Sequence, residues 1–72
     1  MANGQAVLVI TQRLGGGDPQ YTLYYVAEAD AAAAEQIVAS LAAPNEKVTA
    51  LAPIPEPMIK ALGLKPREFR QA

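Results

Sequence analysis

Six consecutive residues, Ala6, Val7, Leu8, Val9, Ile10 and Thr11, set the terms on which this chain can fold. The run is rich in β-branched residues and apolar at odd and even positions alike, so a strand made from it has two faces to cover rather than one. For a chain of 72 residues that is a heavy demand. A domain this small buries only about 60% of the surface that its unfolded chain exposes, which leaves little margin over chain entropy. Disulfides, metals or oligomerisation usually supply the difference. With no Cys and no His, disulfides are ruled out and the commonest transition-metal ligands are missing. Self-association is the remaining device, so a homodimer, or docking on another protein, is the expectation.

The flanking sequence predicts the rest of a small α+β domain. A second strand-like run, Tyr21 to Ala27, follows Gly15, Gly16, Gly17, Asp18 and Pro19, the strongest turn punctuation in the chain, and the two runs read as a hairpin. Asp30 then caps a helix predicted over 31–43 and closed by Pro44, with Ala34, Ile37, Val38 and Leu41 on its inward stripe. Lys47 to Ala52 is a third strand, ended by Pro53 and Pro55, whose missing amide hydrogens confine it to a sheet edge. Pro57 opens a short helix that Gly63 stops in the left-handed conformation, with Leu64 making the accompanying apolar contact. The order β-β-α-β-α, with a crossover from the second strand, gives a three-stranded sheet in the order 3-1-2, the main helix on one face and the short C-terminal helix as second cover. Residues 1–72 form a single domain on this reading, with 65–72 a basic tail free to fray.

Composition narrows function mainly by exclusion. At 51% hydrophobic and 18% charged the chain belongs with globular proteins. The segment after Met1 has no basic start or apolar core, and no run approaches the roughly 20 residues of a membrane span, so a soluble, cytoplasmic protein is expected. The net charge of −1 conceals an asymmetry: residues 1–59 carry −4, whereas 60–72, with Lys60, Lys65, Arg67 and Arg70 against Glu68, carry +3.

Each candidate for chemistry has a structural reading that explains the same residues. The glycine triplet lies between two strands rather than before a helix, beside Asp18 and without a Walker lysine, which points to a hairpin loop and away from a phosphate cradle. Glu28 and Asp30 are too few for a cation site, and Asp30 is fully used as a cap. Pro53, Ile54, Pro55, Glu56 and Pro57 lack P-x-x-P spacing. Ser40, the single serine, has no base to activate it. No catalytic, cofactor or metal residue is assigned, and the chain is expected not to be an enzyme.

Two surfaces remain as candidates. Tyr21, Tyr24 and Tyr25 sit on one strand, Tyr21 and Tyr25 on one face with Leu23, and Tyr24 on the other with Thr22 and Val26. Tyrosine is enriched at interfaces, so these three, with Val7 and Val9 of the doubly apolar strand, are the expected association residues. The second surface is C-terminal. Ile59, Leu62, Gly63, Leu64, Pro66 and Phe69 loosely resemble a helix-turn-helix, with Lys65, Arg67 and Arg70 as candidate nucleic-acid contacts. The second helix would be only about seven residues long and the body of the chain is acidic, which weighs against this alternative. Ligand binding at a dimer interface is a third.

Overall fold

The computed structural model describes residues 2–13 and 15–72, and the side chains from residue 4 onward. Strands β1 (Ala2–Thr11), β2 (Gln20–Val26), β3 (Glu46–Pro55) and β4 (Phe69–Gln71) form one antiparallel sheet in the order β3-β1-β2-β4, joined by helices α1 (Ala31–Ala39) and α2 (Glu56–Leu62). The α+β class and the 3-1-2 core of the sheet are as the sequence predicts. The count of three strands is corrected to four: residues expected to fray form β4, which pairs Phe69 with Val26 and Gln71 with Tyr24. Its anchor is aromatic, since Phe69 stands edge-on to Tyr24 with ring centroids 5.8 Å apart, an arrangement that ring quadrupoles favour.

Strand alternation separates two layers. Val7 and Val9 of β1, with Val26 of β2, face Ala34 and Val38 of α1 and form the larger buried cluster. Ala6 and Tyr25 point the other way, where Ile59 of α2 packs with Ala27 and Ile54, joined by Leu64. The second layer depends on a close approach: a Cβ on Gly4 would stand 2.6 Å from Ile59 Cδ1 and collide with the Val26 carbonyl oxygen.

Local chemistry sets the element ends. Asp30 caps α1, its carboxylate accepting from the Ala33 amide at 2.9 Å. The helix stops at Ala39, four residues before the predicted end. There Leu41 and Ala42 donate to the carbonyls three residues back, a tightened last turn of 3₁₀ type, so Leu41 leaves the predicted inward stripe and is 69% exposed. At the other side of the fold Gly63 (φ 70°) ends α2, with the Leu64 amide donating to the Ile59 carbonyl, a Schellman-type stop. Strand β3 runs through Pro53 and Pro55 instead of ending before them, which an edge position permits.

Side chains tie these elements together. The Ala50 amide of β3 donates to Glu35 of α1 at 2.7 Å, and buried Gln5 donates to the Ala29 carbonyl at 2.7 Å. Glu46 accepts from the Thr11 hydroxyl and the Ala43 amide; these bonds, the Thr11 one foremost, hold its carboxyl below the usual glutamate range despite some desolvation. A depressed carboxylate stabilises the fold above the unfolded value, about 4.3, and that contribution disappears as pH falls through the folded value. Glu46→Gln should therefore flatten the loss of stability below about pH 4.3, as measured by urea midpoints across an acid series. Gly4→Ala should lower unfolding free energy by about 1–3 kcal/mol through overpacking, read from the same denaturation curves.

Candidate interaction surface

The second layer is incomplete because the helices are short. Ten residues of β1 extend about 33 Å, whereas nine residues of α1 rise about 14 Å and seven of α2 about 10 Å. Helix α1 lies over the Val7 and Val9 side, and α2 reaches only the Gly4 and Ala6 end of the opposite side. From Leu8 to the hairpin, that opposite face has no helix above it among the described residues. The register sets Leu8 beside Leu23, Ile10 beside Tyr21 and Ala6 beside Tyr25. Lys47 and Thr49 flank this group on β3, and Arg70 on β4 stands next to Tyr25.

The resulting patch is aliphatic at its centre and polar at its margin. Leu8, Ile10 and Leu23 are half-buried by their lateral neighbours, and Tyr21 is 65% exposed. Lys47 lies level with the hairpin end and Arg70 level with the α2 end, on opposite sides of the sheet. No carboxylate side chain occupies the described strand positions of this face. Three strands over about five residues give roughly 240 Å² in plan, a little under the largest apolar patch of an ordinary monomer and well below the roughly 800 Å² per partner of a standard interface.

The five residues expected at an interface divide between the two faces. Tyr21 and Tyr25 border the open patch, and Tyr25 also packs against the Ile59 cluster. Val7 and Val9 are buried beneath α1, and Tyr24 is half-buried against Phe69 on that same covered side. Sequence reasoning set Leu23 on the face of Tyr21 and Tyr25 but passed over Leu8 and Ile10, which only the pairing register, Leu8 beside Leu23 and Ile10 beside Tyr21, brings to it. Of the basic residues, Lys65 and Arg67 lie in the turn before β4, where the Glu68 amide donates to the Lys65 carbonyl, and Arg70 is in the strand itself. A strand at 69–71 replaces the second helix that a helix-turn-helix requires.

Other candidates resolve into structural roles. Asp30 caps α1, and Glu28 accepts weakly from the Asp30 amide at 3.4 Å. Gly15, Gly16 and Gly17 all have positive φ, near 92–99°, which makes them the hairpin loop that the two strands need. A crevice of about 50 Å³ between α1 and β2 is lined by Val9, Tyr24, Val38 and Phe69 among others, and an open groove of about 430 Å³ runs beside α2 past Ile59, Lys60 and Leu64. Among the described residues no helix is long and apolar enough to cross a membrane. No protein-family model, curated protein or solved structure matches the chain.

The two faces should respond differently to substitution. At concentrations where the chain is monomeric, Leu23→Gln should change unfolding free energy by no more than about 0.5 kcal/mol, whereas Val7→Ala should cost about 2 kcal/mol; equal costs in chemical denaturation would mean that the patch is covered.

Proposed function

We propose that this protein is a non-catalytic interaction module that associates with a second copy of itself through the open sheet face. The observation that carries the reading is the Leu8, Ile10 and Leu23 floor, apolar, contiguous and beyond the reach of both helices. Sheet faces of this kind pack on one another at about 10 Å separation. Neither helix obstructs such a pairing, because α1 is on the far side and α2 occupies only one end. The anatomy also fits an interface, with an aliphatic centre, tyrosine anchors and charge confined to the margin. Lys47 and Arg70 stand on different strands and at different ends, so they can stay hydrated when the centre closes.

The modest area sets the strength. A patch below standard interface size supports a dimer with a dissociation constant on the order of 10–100 µM, and a reversible one. A platform for single-stranded nucleic acid is less well supported: Tyr21 and Tyr25 are about 14 Å apart along the strand, with aliphatic residues between them, whereas such platforms stack successive bases on aromatic rings.

Sedimentation velocity across about two decades of concentration around that constant should show the monomer giving way to dimer, and Leu23→Lys should keep the chain monomeric with its dilute melt preserved. A wild-type monomer throughout that range rejects the proposal. Binding of mixed-sequence single-stranded RNA at low salt, with saturation that displaces the dimer, would reassign the face to nucleic acid.

A further inference from the structure

The edge of the sheet at β4 carries a different kind of opening. Glu68 accepts from the Ala27 amide, and the Ala72 amide donates to the Leu23 carbonyl. In an antiparallel ladder these bonding positions alternate, so the N–H and C=O groups of Phe69 and Gln71 point away from β2. Among the described residues no strand lies beyond β4. Directly beside this edge, α1 and the β4 segment enclose an open groove of about 470 Å³, lined by Gln36, Ile37, Ser40, Leu41, Arg67 and Phe69. An unpaired strand edge next to a helix-walled groove with an apolar floor of Ile37, Leu41 and Phe69 is the arrangement in which an added strand gains main-chain bonds from the edge and a side-chain pocket from the groove.

Charge indicates which strand could be added. The segment 65–72 holds Lys65, Arg67 and Arg70 against Glu68 alone. The Glu68 carboxylate accepts from the Lys65 amide at 2.7 Å, and the one ion pair among the described residues is Lys60–Glu56. Arg67 lines the groove, and Arg70 lies on the opposite face of β4. Edge cations of this kind discourage pairing with an identical edge, because two copies of β4 would bring like charges together. They favour a strand of opposite sign.

We infer that the outer edge of β4 binds an extended acidic segment of another protein as a fifth strand, its apolar residues entering the groove over Phe69 and Leu41 and its carboxylates, on the opposite face, meeting Arg70. This site lies on the β4 edge and not on the open face that we propose for self-association; it shares only the marginal Arg70 with that face and does not depend on the dimer. Only Phe69 and Gln71 supply outward main-chain groups, so the bound segment is short and exchanges rapidly.

The test uses the whole chain labelled with ¹⁵N and a blocked peptide alternating glutamate and valine over five residues. The expected result is saturable shifts centred on the Phe69 and Gln71 amides, slowed hydrogen exchange at both, and no binding of the matching lysine–valine peptide. Gln71→Pro removes an outward donor without touching a bond to β2 and should weaken binding about tenfold or more, as should Arg70→Gln. N-methylating the central peptide residue should weaken binding likewise, and this readout survives if Gln71→Pro does not fold. The inference is overturned if the acidic peptide does not bind, if the lysine peptide binds as well, if N-methylation has no effect, or if the shifts fall on Leu8, Ile10 and Leu23.

Discussion

Both faces of β1 need a roof, and the two short helices do not build two complete ones. That imbalance explains the placement of everything else. Antiparallel partners on both sides satisfy the ladder of β1, and α1 is laid where the branched side chains Val7 and Val9 are densest. What remains for the opposite face is α2, seven residues whose one fully committed side chain is Ile59. The molecule is accordingly long and narrow, 41 × 18 × 17 Å, with its stability concentrated along the spine of the sheet rather than in a central globule.

The helices hold their positions through a few directional contacts as well as through burial. Glu35 grips the Ala50 amide on β3, where the β1 pairing shifts register between Ala6 and Val7. By the alternation of the ladder the Ala50 amide points off the outer border of β3, and a carboxylate from α1 takes that donor while locking the helix over the edge strand. Gln5 does the equivalent at the start of α1 by donating to Ala29. Gly4 acts by absence, leaving the space into which Ile59 inserts. Each contact joins segments distant in sequence, so the open face is left bare by a scaffold that is otherwise closely tied.

Much of this was legible from residue type alone. Asp30, Gly63 and the glycine triplet each announce one local conformation and adopt it. The tyrosine alternation was equally readable, because pairing period is independent of what lies above the sheet. Alternation could not reveal which face α1 would choose, since both were apolar; Val7 and Val9 therefore looked as available as Leu8 and Ile10. Strand β4 was illegible for a different reason. Three residues carry no periodicity, and Phe69 becomes part of a strand only because Val26 and Tyr24 offer an edge to pair with. Pro53 and Pro55 misled in the opposite direction, since a residue that breaks a central strand is harmless on an outer one.

Those two prolines make the sheet's borders unequal. A proline has no amide hydrogen to donate, so the Pro53–Pro55 end of β3 presents a weaker template than an ordinary strand edge. A β-sheet with two receptive borders can propagate from molecule to molecule into a fibre, whereas one with a sterile border terminates after a single addition. Proline on an edge strand is one of the devices that blunt such pairing, and β3 carries two at one end.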